Sequence, residues 1–283
     1  MTTKHGLAWL LLPALLGLAT ASQAQYLRAG GSTFASSLGS SDGDIKDPGW
    51  ISASSATVIT QETSSSIEGA YAHMQFAAGF GVLRSSLNAG VTRNGEVHAS
   101  ASGIFGPSPD YMVGASFYDT ITLGGLAGTP VSLRVDTSLH SVLSVPTHGY
   151  ATVQLEVDAF SVDSVPSGRI SPGPIVHEGA GERTSTGSFT IHGLAGQSFD
   201  LSVELSSFVS VFTPLGESGI RLTTADASHT GQLTITALSG SFTSASGATY
   251  ASAVPEPASY LSLALGLAML AMRTRRRGGS ETE

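Results

Sequence analysis

Carboxylates, imidazoles and hydroxyls are the side chains in this sequence that could do chemistry. There is no cysteine to serve as a thiolate, a disulfide half or a soft metal ligand. Asp42, Asp44 and Asp47 fall within six residues in a Gly- and Pro-containing stretch, and clustered oxygen ligands on a loop are what calcium takes. The spaced ligands and closing glutamate of an EF-hand loop are missing, so the segment reads as a solvated turn and no metal is assigned. His73, His98, His140, His148, His177, His192 and His229 are scattered singly, without His-Glu-x-x-His spacing, which gives a zinc site little support. His177-Glu178 with Glu182, in a Pro/Gly-rich stretch, could supply an acid and a base. Glycoside hydrolysis, however, needs two carboxylates held apart across a sugar, a spacing sequence does not show. No Gly-x-Ser-x-Gly elbow stands between a strand and a helix, and the glycines sit in turn-like contexts rather than in a phosphate loop. The expectation is a non-enzymatic chain with no catalytic residues and no cofactor.

The elements that would position these groups read as strands. Val131-Ser-Leu-Arg-Val135, Ala151 to Phe160, Phe199 to Leu205 and Gln232 to Leu238 each alternate apolar and polar residues. Period two means one buried and one wet face. Gly106-Pro107, Pro166-Ser-Gly168 and Ser171-Pro-Gly-Pro174 punctuate them as turns. Many short strands with turns between them point to an all-β fold, a single β-sandwich or jelly-roll-like domain over residues 51–240. Residues 25–50, small and polar, read as a flexible N-terminal segment, and 241–253 as a linker. Ile121 to Val135 aligns without gaps on Phe189 to Val203, with Gly125-Leu-Ala-Gly128 matching Gly193-Leu-Ala-Gly196. Each copy reads as strand, Gly-framed turn, strand, so the pair is expected to be two equivalent hairpins from a duplicated unit.

The two ends carry targeting information. Lys4 and His5 precede an apolar run from Gly6 to Ala19, and Ser22-Gln23-Ala24 is a small-x-small cleavage site. Residues 1–24 therefore read as a signal peptide cleaved after Ala24, with Ala19-Thr20-Ala21 as a competing site. At the other end, Val254-Pro255-Glu256-Pro257 holds the chain extended. An uncharged, mostly apolar stretch follows from Ala258 to Met272, and then the basic cluster Arg273, Arg275, Arg276 and Arg277. Fifteen helical residues rise about 22 Å, short of the roughly 30 Å hydrocarbon core. The basic cluster stays on the cytoplasmic side and stops transfer. The fold is thus expected to be flanked by an N-terminal signal helix and a short C-terminal transmembrane helix. Residues 278–283 form a polar tail.

Val254-Pro255-Glu256-Pro257, short apolar helix and Arg cluster together (residues 254–277) resemble the sorting signal of the PEP-CTERM family. The resemblance implies processing by an exosortase, a membrane cysteine protease-transpeptidase that recognises the Pro-Glu-Pro element. It also implies a Gram-negative host that makes exopolysaccharide. Signal peptidase and exosortase are then transient partners, exopolysaccharide is the candidate lasting one, and the membrane is met through the C-terminal helix before processing. Transit anchored in the inner membrane is expected to end at the cell surface or outside it. Between Gln25 and Ala253 there are 8 Lys/Arg against 18 Asp/Glu, a net charge of −10, which argues against nucleic acid. The leading expectation is a structural protein of the surface or of an exopolysaccharide biofilm matrix. A secreted carbohydrate-binding module, with Trp50 as an aromatic contact, is the alternative, and a secreted hydrolase the weakest reading.

Overall fold

Alternation along the chain becomes burial along the strands. In the stretch from Pro130 to Ser144, Val131, Leu133, Val135, Leu139 and Leu143 point into the core while Ser132, Arg134 and Asp136 point out. The computed structural model describes residues 25–37, 43–46, 50–54, 58–67, 69–92, 97–102, 114–162, 169–214, 217 and 219–250. Within them the chain is all-β. The strands are β1 (Tyr26–Gly30), β2 (Ser32–Ser37), β3 (Gly43–Lys46), β4 (Trp50–Ala53), β5 (Ile59–Ile67), β6 (Ala70–Gly79), β7 (Val82–Val91), β8 (Val97–Ser102) and β9 (Gly114–Gly124). They continue as β10 (Pro130–Ser144), β11 (Gly149–Ser161), β12 (Arg169–Ile170), β13 (Ile175–Glu178), β14 (Gly181–Leu194), β15 (Ser198–Phe212), β16 (Arg221–Ser239) and β17 (Ser241–Ser244). The expected signal helix at 1–24 and the expected transmembrane helix of the sorting tail at 254–277 lie outside the described residues.

Two sheets pack face to face. The first is eleven-stranded and centres on β15. One edge of β15 carries β11, from which β12 and β13 hang. Its other edge is shared end to end by β9, along 198–206, and β8, along 208–212. β9 leads on to β1, β4 and β17, and β8 leads on to β2 and β3. The second sheet runs β14-β10-β16-β7-β6-β5, all antiparallel. Leu27, Phe117, Leu201 and Val203 from the first sheet and Phe76, Leu87, Leu133 and Leu233 from the second fill the space between them.

The duplicated segments fold differently from the expected hairpins. β9 and β10 flank the first Gly-Leu-Ala-Gly turn but belong to different sheets, as do β14 and β15 around the second. Each copy is an arch that carries the chain across the sandwich, the first outward from β9's sheet and the second back into it. The strands pair between copies instead, β9 with β15 and β10 with β14. The two arches are related only approximately. Ile121 opposes Phe199, so exact two-fold symmetry would set Val131 against Phe189, whereas Phe189 faces Val135, four residues on. Gly128 and the equivalent Gly196 share a left-handed backbone, φ +75° and +99°, which a glycine adopts without steric cost. Gly125 has φ +149°, but its counterpart Gly193 is taken into β14, which shifts the register.

Both presumed linkers are built into the fold. Residues 25–50 contain β1, β2 and β3 and begin β4, with Leu27, Ala29 and Ala35 fully buried. They read as loop because the inward positions hold small residues. Residues 241–250 form β17 and a strap that seals the sandwich. β16 runs past the start of β7, so its edge needs other partners there. Leu233 N–H donates to Gly81 O at 3.0 Å, and Ile235 N–H to Tyr250 O at 2.9 Å. The strap is held by Asp119, which is fully buried. Its Oδ1 accepts from the Thr120 and Ser246 amides at 2.9 and 3.0 Å. Its Oδ2 accepts from Ser246 Oγ at 2.5 Å and from the Tyr250 hydroxyl at 2.6 Å. Tyr250 is 2% exposed and stacks at 5.9 Å on Phe117. Burial and the neighbouring carboxylate push its hydroxyl far above the usual phenol range, so it stays a donor.

Hydrogen bonds to a charged group contribute about 1.5–3 kcal/mol each, and donors left behind in the interior add their own cost. Asp119→Ala is therefore expected to lower unfolding free energy by about 3 kcal/mol or more in a urea titration. A loss below about 0.5 kcal/mol, the size of an ordinary surface change, would contradict this role.

Candidate ligand-binding face

The outer face of the eleven-stranded sheet collects side chains from parts of the sequence far apart. Strand register sets them in rows. Asp158, Ser202, Tyr118 and Tyr26 make one row across β11, β15, β9 and β1. Glu156, Glu204, Ser116 and Arg28 make the next. On the far side of the first row Phe160, Asp200 and Thr120 line up, with Arg169 of β12 beside Phe160. Towards the opposite end come Gln154 and Ser206, then Thr152 and Phe208, then Tyr150 and Ser210.

Aromatic rings flank a charged centre in this array. Tyr26 and Tyr118 stack at 5.3 Å with planes 3° apart. At the other end Tyr150 and Phe208 approach at 5.7 Å, and His148 lies 5.0 Å from Phe212. Across the sheet from the tyrosine pair, Arg169 reaches Asp158 through two nitrogens, at 3.0 and 2.8 Å, and Glu156 at 3.3 Å. This pairing raises the Arg169 pKa, chiefly through Asp158. Gln154 Nε2 donates to the other Glu156 oxygen at 3.5 Å. Thr120 Oγ1 donates to Asp200 at 2.8 Å. Burial, then the hydrogen bond to Asp200, pushes the Tyr118 hydroxyl well above the usual phenol range. Glu204 stands directly across from Glu156. Its pKa is raised by burial first, then by the charges of Glu156 and Asp158, with Arg28 opposing. Planar carboxylate, amide and guanidinium groups between aromatic rings are hydrogen-bonding and stacking partners for polyhydroxylated ligands.

The residues singled out from sequence are not brought together. His177 points inward from β13. Its Nδ1 meets Ser141 Oγ of β10 at 2.7 Å and its Nε2 meets Ser185 Oγ of β14 at 2.9 Å. This ties the two sheets together, and burial, then Arg183 and His140, lowers the His177 pKa. Glu178, the next residue, points the other way and accepts the Tyr150 hydroxyl at 2.6 Å. Glu182 lies 3.8 Å from His140 at the exposed start of β14. Of the aspartate cluster, Asp44 is described. It accepts Ser66 N–H at 2.9 Å and pairs with Lys46 at 3.1 Å, and both lower its pKa, the amide more. Asp42 and Asp47 lie outside the described residues. His73, His148 and His192 have local partners in Glu62, Glu217 and Ser132. The side chains of His98, His229 and Trp50 lie outside the description. Tyr26, Tyr118 and Glu204, which sequence reasoning passed over, stand in strands 92 and 86 positions apart, and only pairing unites them.

The described residues thus define a two-sheet β-sandwich whose last described contact, at Tyr250, lies just before the C-terminal signal. Residues 253–277 match the family model of the PEP-CTERM protein-sorting motif, so the chain carries that motif at its C-terminal end. The motif implies an exported protein that passes through a membrane-anchored stage before exosortase cleavage. Ala24, Val254, Pro255, Glu256, Pro257 and the cluster Arg273, Arg275, Arg276 and Arg277 lie outside the described residues. No curated protein matches the chain, and neither does any solved structure.

The raised Glu204 pKa has a signed consequence. Folded protein binds its proton more readily than unfolded chain, so this group's contribution to stability falls as pH rises from the ordinary glutamate value of 4.5 through the folded value. Glu204→Gln is expected to unfold at higher denaturant than the parent at neutral pH, with the gain shrinking as pH falls through the raised folded value and lost by about 4.5. A gain that is constant with pH, or a loss at neutral pH, would contradict the crowding of Glu204 by Glu156 and Asp158.

Proposed function

We propose that the exported domain acts without catalysis, as a structural component of the cell surface or of an exopolysaccharide biofilm matrix, after exosortase processing. The observation that carries this is the sorting motif joined to a sandwich whose described end is locked. From Tyr250 to Val254 the chain can extend at most about 14 Å, so processing would leave the folded domain intact beside the new terminus. The acidic balance between the two ends keeps the released domain soluble. The test is mass spectrometry of the protein's termini after export from a host with an exosortase. A start at Gln25 and loss of everything after Pro257 are expected. Pro255→Ala with Pro257→Ala is expected to leave the tail uncut and the protein in the inner membrane. Intact tail on parent protein recovered outside the cell would overturn the reading.

Carbohydrate binding is the second reading, favoured by the Tyr26–Tyr118 stack beside Glu204, Glu156 and Asp158. Aromatic pairs contribute about 0.5–1.5 kcal/mol beyond the area they bury, and a sugar face stacked on Tyr118 is assigned a gain of the same order. Tyr118→Ala is then expected to weaken retention on the host's own matrix polymer by about tenfold. Retention unchanged in this variant would remove the reading for this face.

A further inference from the structure

The second sheet holds a feature that neither its packing nor the sorting signal requires. In its interior strand β16, Ala227 pairs with Ser85 of β7 and Gly231 with Leu83. Four steps on β16 thus match two on β7. Against β10, Leu139 to Val142 is three steps where Gly231 to Asp226 is five. Both neighbours therefore place a two-residue bulge at 228–230, in the middle of the sheet. Bulges are over-represented next to active sites, where they re-aim side chains.

The residue of β7 between the two pairs is Arg84. It points outward and forms no hydrogen bond or ion pair with any described residue. Arg134, Arg169, Arg221 and Lys46, by contrast, are each paired with a carboxylate. Arg84 forms one wall of a cleft of about 570 Å³ on the outer face, with Val58, Thr60, Gln75, Ala77, Ser86 and Ser228 around it. That volume falls in the range of small-ligand sites.

We propose that this cleft binds a carboxylate-bearing sugar, free or as a unit of an acidic polysaccharide. A guanidinium grips a carboxylate with two parallel hydrogen bonds, a geometry that no hydroxyl or single point charge reproduces. The hydroxyls of Thr60, Ser86 and Ser228 and the Gln75 amide offer donors and acceptors to the ring hydroxyls, and Val58 and Ala77 give the ring an apolar rest. Two carboxylates flank the cleft without lining it. Glu62, opposite Gln75, lies 3.7 Å from His73. Asp226, opposite Ser86, accepts the Ser228 amide at 2.8 Å. The acidic remainder of the chain is screened beyond about 8 Å at physiological salt. Cleft and aromatic face lie on opposite sheets, so each stands or falls without the other.

The test is calorimetric titration of the full chain in detergent with glucuronate, with a glucuronate trisaccharide and with glucose. Glucuronate is expected to bind at least about tenfold more tightly than glucose. Arg84→Gln is expected to remove that preference while leaving the thermal midpoint unchanged, and Arg84→Lys to restore only part of it. Should Arg84→Gln fold poorly, Val58→Trp at the exposed rim tests the same cleft by blocking it. A trisaccharide bound more tightly than the monomer assigns the polymer, and equal binding assigns the free sugar acid. Equal affinity for glucose and glucuronate, no binding of any of the three, or glucuronate binding untouched by Arg84→Gln or Val58→Trp would overturn the proposal.

Discussion

One buried carboxylate, paired with no cation among the described residues, anchors the far end of the folded domain. Burying an ionised group is costly unless hydrogen bonds replace its water. Asp119 receives four, one from its own strand and three from Ser246 and Tyr250, more than 120 residues on. Those three donors fold the strap back over the place where β16 outruns β7. Ile235 then finds its acceptor in Tyr250, and the Tyr250 ring closes on Phe117 and against Gly81. Without the strap, Asp119 would lose three of its four donors and a stretch of β16 edge would stand open. Each is unfavourable, and an unpaired edge also invites other chains.

This closure separates two jobs within one chain. The described residues through Tyr250 belong to the sandwich, and the sorting motif begins three residues later. Cutting at the motif would therefore leave every described strand in place. The two arches do comparable work inside the domain. By moving the chain between sheets, they let β9 and β15 build the outer face of one sheet while β10 and β14 extend the other.

Much of the strand content was legible from period-two alternation, because Val, Leu and Ile mark the inward positions of β10, β11, β15 and β16. The ends were not legible. β1 and β2 bury Ala29, Thr33 and Ala35, residues that signal linkers as readily as strands. Tyr250 is a single aromatic in a run of small residues, and its burial depends on a carboxylate that sequence places in another strand. Pairing was the other blind spot. A Gly-framed turn between two alternating runs fits a hairpin and an arch equally well, and only long-range register decides between them. For the same reason the Tyr26–Tyr118 stack and the Glu156–Glu204 pair could not be assembled from spacing. The bulge in β16 inserts two residues, which preserves inward and outward parity and so leaves the alternation around it intact. The sorting motif was readable because its chemistry lies in contiguous residues.

Amide hydrogen exchange on the strap and its partners tests the central claim most directly. If residues up to Tyr250 complete the sandwich, the amides of Ile235 and Ser246 exchange as slowly as that of Val135 in the middle of the second sheet. If Ile235 and Ser246 exchange like unstructured peptide while Val135 stays protected, the strap is a linker after all, and Asp119 does not close the fold.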